Sequence, residues 1–262
     1  MTEKELPQRP IWRPAAECAP LAGDVHVWRI ALDRDDVEVV ELERPLSDDE
    51  RARAARFVFD KDRRRFIAAR GSLRVLLSRY TGRRPETIEF CYGPQGKPFL
   101  ADPSDLRFNL SHSGRFAVFA CVRNREIGID VERERPEVEF EEIAARFFSS
   151  PEQAALQALP REQRRQAFFT CWSRKEAYIK ALGGGLSVPL DRFDMTLAPG
   201  QPAQLIVDRG DSAAAAAWTV YDIRPDEGYA GAAVVAGPGG SLQLWDLPAE
   251  CCLEPLRDSR TC

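Results

Sequence analysis

From Arg125 to Glu132 the chain reads REIGIDVE, with Ile127, Ile129 and Val131 alternating with Gly128, Asp130 and Glu132. A period of two predicts a strand with one apolar face. Successive side chains leave a strand on opposite sides, so Asp130 and Glu132 emerge together on the polar side. Two carboxylates held that close repel unless positive charge stands between them, and a hard divalent cation bound through oxygen meets that need. The same spacing also fits a strand whose second face is simply solvated. The stretch this strand is expected to face is WSRKEAYIK, Trp172 to Lys180, which reads as the end of a helix. There Glu176 and Lys180 stand at i and i+4 on one side, an arrangement that also describes an ordinary helical ion pair.

The surrounding pattern predicts an α+β fold. DVHVWRIAL (Asp24 to Leu32) alternates as a first strand, and Ser47 followed by Glu50 marks a capped helix running to about Phe57. A second helix follows the charged break at Asp60 to Asp62, with Phe66, Ala69, Leu73, Leu76, Leu77 and Tyr80 on its apolar side, Arg70 and Arg74 adjoining, and Gly82 as its stop. IEFCYGPQGKPFL is a strand, a turn and an extended piece, in which Lys97 sits between Gly96 and Pro98 either to meet an anion or as a plain turn lysine. In FNLSHSGRFAVFACV, Asn109, Ser111 and Ser113 point one way around Leu110 and His112. His112 can donate to an anion or serve structure alone. FAVFACV is expected to pair antiparallel with the carboxylate strand through a turn at Asn124. Glu134 to Glu142, with Pro136, reads as a crossing loop, followed by two helices with Ser150 and Pro151 opening a new segment. GGG at Gly183 to Gly185 ends the last helix, and strands follow from Asp191 onward. GRFAVFACV and EGYAGAAVVAG resemble each other, which suggests two similar, pseudo-duplicated α/β lobes.

The expected division is an irregular N-terminal arm over 1–22, an N-terminal lobe over 23–124, a C-terminal lobe over 125–248 and a tail over 249–262 without usable periodicity. At 262 residues the chain can bury a substantial core as one or two domains. Seven cysteines, an odd number with no CxxC spacing, fit neither a disulfide framework nor a zinc site and suggest a reducing cytoplasm. No apolar run approaches the ~18 residues of a membrane span, and the start lacks the core of a signal peptide. The net charge of −4 conceals twelve Lys or Arg against two Asp between Arg51 and Arg84. One basic segment in an acidic chain is suited to a localised anion or an acidic partner rather than to coating nucleic acid, or it is a solvated arginine-rich helix.

Taken together, the ordered set RRRFIAAR, GPQGKPF, FNLSHSG, GIDVE and FFTCWSRKEAYIKALGGGL resembles the surfactin-type 4′-phosphopantetheinyl transferases, the two-lobed monomeric class, over roughly Leu46 to Leu190. The pair GIDVE and WSRKEAYIK is its most specific part. The resemblance implies an active site at the interface between the two lobes and transfer of the phosphopantetheine arm of coenzyme A to a serine of an apo acyl or peptidyl carrier protein, leaving adenosine 3′,5′-bisphosphate. It implies that Asp130, Glu132 and Glu176 hold Mg²⁺, with Glu132 at a position some relatives fill with an apolar residue. Arg65, Lys97, Ser111, His112 and Lys180 fall on coenzyme A phosphate positions, Asn109 belongs to the same loop, and Arg53 and Lys175 match more loosely. A basic position before the first helix in some relatives is Glu50 here. Glu176 is the candidate base for the serine proton, directly or over one water, and Lys180 the candidate for stabilising developing charge. The arginine-rich segment would steer an acidic carrier protein. Readings from other classes are a noncatalytic coenzyme A or nucleotide-binding module, a nucleic-acid binder and an inactive paralogue; the acidic total and the lack of interleaved aromatics speak against nucleic acid.

Overall fold

The computed structural model describes residues 11–15 and 21–248; most of the N-terminal arm and the whole tail with Cys251, Cys252 and Cys262 lie outside the described residues. A two-residue strand, β1 (Arg13–Pro14), precedes β2 (Val25–Ala31), whose alternation matches the sequence expectation. Helix α1 (Asp36–Glu43) then appears where no helix was expected. Val37 and Val40 face solvent while Val39 and Leu42 are buried, so its apolar residues trace no clean stripe. The signal that does mark it is the Asp35 carboxylate accepting from Glu38 N while Glu38 accepts from Asp35 N. Helix α2 (Asp48–Ala54) starts at the anticipated Ser47, whose N–H donates to Glu50 at 2.9 Å.

Helix α3 (Asp60–Thr81) ends at Gly82, whose φ of 69° lies in the left-handed region that only glycine enters without strain. The ribbon β3 (Phe90–Tyr92) and β4 (Pro98–Leu100) leads into the hairpin of β5 (Leu106–Ser113) and β6 (Phe116–Arg123). After Asn124, left-handed at φ 55°, comes β7 (Ile127–Arg133). Then follow α4 (Phe140–Phe147), inside the stretch expected to begin as a loop, α5 (Ser150–Ala158) and α6 (Arg161–Leu182). The cap of α5 is Ser149 rather than Ser150, with Glu152 closing the capping box. The described residues finish with β8 (Phe193–Met195), β9 (Leu205–Asp208), the single turn α7 (Ala214–Ala217), β10 (Trp218–Ile223), β11 (Tyr229–Ala236) and β12 (Leu242–Leu247). Ala214 to Ala217 are therefore helical, within the region from Asp191 onward that was expected to hold strands, and the next strand starts at Trp218.

The pseudo-duplication is visible in the topology. Each half runs strand, long helix, short ribbon, hairpin, with the second hairpin strand inserted beside the first strand of the half. This gives β2-β6-β5 in one sheet and β7-β11-β10 in the other. Both long helices span 22 residues and both end on a left-handed glycine, Gly82 and Gly183. α3 packs Leu73 and Leu77 on the face of the first sheet that carries Trp28, Ile30 and Phe119. The opposite face, with Val25, Val27 and Val118, meets Ile127, Ile129 and Val131 of the second sheet. α6 closes the far side over Ala230, Ala232 and Val234.

Two expectations need correction. β6 and β7 do not pair: β6 is flanked on both edges by β2 and β5, so it has no free edge, and β7 pairs with β11 instead. The second half also does not end as one contiguous lobe, because β12 returns to the first sheet and lies parallel between β2 and β1. Among the described residues no helix is long and apolar enough to cross a membrane.

The polar face of β7 is covered, not solvated. At Gly128 the backbone of α6 lies so close that a Cβ would stand 2.1 Å from Ala177 O and 2.3 Å from Ala181 N. Neither partner atom is a side chain that can swing away. Gly128→Ala is therefore expected to destabilise the protein by about 1–3 kcal/mol or more through overpacking, read as a lower urea midpoint. An unchanged midpoint would show that α6 can lift off without cost.

Candidate active site

Because α6 crosses β7 at a glycine, its last two turns bring Glu176 and Lys180 over the side chains that follow Gly128. Lys180 Nζ donates to Asp130 Oδ1 at 2.6 Å and to Ser111 Oγ at 3.0 Å, and Ser111 Oγ donates to the same Asp130 oxygen at 2.9 Å. Asp130 is only 3% exposed, and its second oxygen, Oδ2, is buried without a hydrogen-bond partner among the described residues. Glu132 accepts from Ser113 Oγ at 3.0 Å. Burial, then the charge of Asp130, raises the Glu132 carboxyl above its ordinary range. Burial, followed by the Asp130 charge and that of Glu132, pushes Glu176 up to about 7 against the opposing pull of Lys180. Three carboxylates thus share one field with one ammonium, a net negative site in a partly dry setting.

That surplus tests the fit of a divalent cation. A buried carboxylate oxygen with no partner among the described residues, and two acids held toward their neutral forms by burial and by the Asp130 charge, are what a hard, oxygen-seeking ion would relieve. Among the described residues no group of three or more His, Cys, Asp or Glu side chains is already gathered closely enough to hold a metal ion, and Lys180 stands beside Asp130 Oδ1. An open set of a few carboxylates suits an ion that keeps part of its coordination for water and substrate oxygens.

The acids are held by the edge of the other half. β5 and β7 are the outer strands of their sheets, and they meet through side chains rather than a backbone ladder. Asn109 Oδ1 accepts from Ile129 N at 2.9 Å, Ser111 reaches Asp130, and Ser113 Oγ accepts from Arg133 N at 3.1 Å while donating to Glu132. The alternation that groups Asn109, Ser111 and Ser113 turns His112 the other way, into a cleft of about 550 Å³ whose walls include Arg53, Arg65, Phe66, Gly96 and Pro98. The His112 imidazole is pushed below its ordinary value by burial first and then by Lys180, which favours the neutral ring with one N–H to offer. Arg53 lies over the Phe66 ring at 5.3 Å, and Arg65 pairs with Asp33 at 2.7 Å.

Several anticipated site residues have other surroundings. Lys175 is 0% exposed, donates to Leu190 O at 2.7 Å and Phe193 O at 2.6 Å, and pairs with buried Glu152 at 2.8 Å. It therefore cannot bind a ligand and is a core residue, a correction to the looser motif match. Lys97 Nζ donates to Ile127 O at 2.9 Å instead of entering the cleft. Asn109 uses its carbonyl on the backbone of β7. Glu50 is buried between Arg70 and Arg74, the latter at 2.6 Å and itself 2% exposed, so these arginines hold α2 on α3. Eight of the twelve cations from Arg51 to Arg84 stand in ion pairs, with Asp33, Asp36, Asp48, Glu50, Asp60, Asp102 and Glu86 as partners. The expected steering field is largely neutralised where it arises. Ser113, seen in the sequence only as a neighbour of Ser111, is the residue that fixes Glu132; its period-two spacing was the available signal.

Residues 126–234 match the family model described as the 4′-phosphopantetheinyl transferase superfamily, and residues 34–124 match that of the 4′-phosphopantetheinyl transferase N-terminal region. The 4′-phosphopantetheinyl transferase HetI of Nostoc sp. is 42% identical over 86% of this chain and 93% of its own length. The 4′-phosphopantetheinyl transferase Sfp of Bacillus subtilis is 34% identical over 76% of this chain and 91% of its own. The solved holo-acyl-carrier-protein synthase of Thermotoga maritima overlaps 43% of this chain and 62% of its own, at 25% identity and a TM-score of 0.36. With both halves matched and a relative covered almost end to end, the chain belongs to the 4′-phosphopantetheinyl transferase superfamily.

Proposed function

We propose that this transferase moves the phosphopantetheine arm of coenzyme A to a serine of an apo acyl or peptidyl carrier protein and releases adenosine 3′,5′-bisphosphate, with Asp130, Glu132 and Glu176 holding Mg²⁺. The observation that carries the reading is the convergence of Lys180 and Ser111 on one oxygen of Asp130 while its other oxygen lies buried with no partner among the described residues. In that group, Lys180 is the donor for the phosphate oxygens that gain charge, exchanging its bond to Asp130 for one to substrate. Glu176, ionised in the loaded site, is the base that takes the hydroxyl proton as the serine Oγ forms its bond to phosphorus. The pyrophosphate P–O bond breaks at the same time, and its electron pair leaves with the nucleotide. When bound, Mg²⁺ supplies charge neutralisation at the pyrophosphate and keeps the three carboxylates ionised. Arg53, Arg65 and His112 line the adjoining cleft and would meet the remaining coenzyme A phosphates.

The reading includes a monomer acting in the cytoplasm, with neither nucleic acid nor a membrane as partner. Pairing of most of the basic segment with carboxylates supports the exclusion of nucleic acid.

Two experiments test this. Intact-mass measurement of a panel of apo carriers incubated with coenzyme A and Mg²⁺ is expected to show a phosphopantetheine adduct. Asp130→Asn and Glu176→Gln should each slow its formation by about 10²- to 10⁴-fold. Full activity in either variant would remove that residue from the site. The second is a stability measurement. Glu176 binds its proton more tightly folded than unfolded, so its contribution in the metal-free protein is present below about pH 4.5 and lost as pH rises through 7. Mg²⁺ needs the ionised form, so its stabilisation should grow over the same range. At ~100 times its Kd, Mg²⁺ would add about 2.7 kcal/mol at pH 8, roughly 5–10 °C in Tm. The gain should be smaller at pH 6 and absent in Asp130→Asn; an equal gain at both pH values, or one that survives the substitution, would place the ion elsewhere.

A further inference from the structure

Gly96 and Pro98 line the cleft, but Lys97 between them turns its side chain to the opposite side of the β3–β4 ribbon. Its ammonium donates to Ile127 O at 2.9 Å and to Ala181 O at 3.4 Å, with Glu126 Oε2 at 3.3 Å on the outer side. Ile127 opens β7, and Ala181 lies in the last turn of α6. The carbonyls of a helix's last turn lack partners within the helix and carry the negative end of its dipole, so a cation from another element satisfies one directly. These two carbonyls flank Gly128, the point where β7 and α6 touch through backbone. Asp130 follows two residues beyond Gly128, and Lys180 directly precedes Ala181. Burial pushes the Lys97 ammonium below its ordinary value, and the neighbouring Glu126 pulls it back. The left-handed φ of 77° at Gly96 and the fixed ring of Pro98 give the side chain one direction.

We propose that Lys97 is a positioning residue, whose ammonium, seated on the carbonyls of Ile127 and Ala181, fixes the cleft wall of the first half against the β7–α6 crossing that carries the acids. The proposal rests on the transferase reading for its kinetic consequences, but the clamp itself does not depend on it. Lys97 then acts on the distance between bound coenzyme A and the acids, and grips no phosphate. Misplacement by about 1 Å can cost on the order of 10²-fold in rate while leaving ground-state binding intact.

The test compares Lys97→Met and Lys97→Arg with the unmodified protein. The Met variant is expected to lower kcat for carrier modification by about 10- to 100-fold. Its KM for coenzyme A should stay within about twofold, and its preference for coenzyme A over 3′-dephospho-coenzyme A should not change, as for any residue that leaves uniform binding alone. The Arg variant, which can donate to both carbonyls, should recover most of the rate. Amide hydrogen exchange without substrate should be faster in the Met variant over 93–100 and at the start of β7, and this readout survives even if no carrier is modified. A raised KM with kcat kept, lost discrimination between the two cofactors, or unchanged exchange would overturn the proposal. Should the Met variant not fold, the Arg variant decides alone: retained kcat and KM support the clamp, and a raised KM with retained kcat returns Lys97 to the phosphates.

Discussion

The backbone crossing at Gly128 is the constraint on which the site depends. An α-helix and a strand normally pack with a layer of side chains between them, and that layer would hold α6 several ångströms from β7. Here the missing Cβ lets Ala177 O and Ala181 N approach the strand directly. Glu176 and Lys180 bracket that contact on the helix, as Ile127 and Ile129 bracket it on the strand. The reach of a lysine side chain from the helix to Asp130 follows from that contact, and so does the mutual field of the three acids. The glycine in GIDVE is in this sense as much part of the site as the carboxylates.

A second constraint is the meeting of two sheet edges. An edge strand presents unpaired N–H and C=O groups that invite uncontrolled pairing. β5 and β7 answer this with side chains: Asn109 and Ser113 accept backbone N–H groups of Ile129 and Arg133, and Ser111 and Ser113 donate to the acids. The same three residues therefore close the edges and orient the carboxylates. Their placement joins the halves without a continuous hydrogen-bonded sheet, and it leaves His112 free to face the cleft. The pseudo-duplicated plan supplies the frame, but the two long helices differ where they cross their sheets. At the helical depth where α6 has Glu176 and Lys180, α3 has Val75 and Arg79.

Local pattern was the legible part of this fold. The alternation of β7, the capped start of α2, the apolar stripe and glycine stop of α3, and the shared face of Glu176 and Lys180 each depend on residues within a few positions of one another. Partner choice between strands was not legible. Nothing in FAVFACV or IGIDVE says that β2 and β5 take both edges of β6 before β7 arrives, and β12 joins the first sheet from more than two hundred residues beyond β2. Charge count misled for the same reason: the acids that neutralise the arginines, such as Asp33, Asp36 and Asp102, lie outside the basic segment and are brought to it only by folding.

Lys175 and Lys180 show how far a motif can be read. Both are basic residues in one helix of one motif, and composition gives no ground for separating them. At 3.6 residues per turn, however, five positions turn the side chain by about 140°, whereas Glu176 and Lys180 differ by about 40°. Once Glu176 faces β7, Lys180 must face it too, and Lys175 must point into the core beneath α6. A buried ammonium there is tolerable only because Glu152 and the carbonyls of Leu190 and Phe193 surround it. Lys180, partly exposed and bound to an acid that can trade its partner, keeps a charge that can be redirected. The difference between a lysine anchored in the core and one beside Asp130 is set by helical phase relative to Gly128.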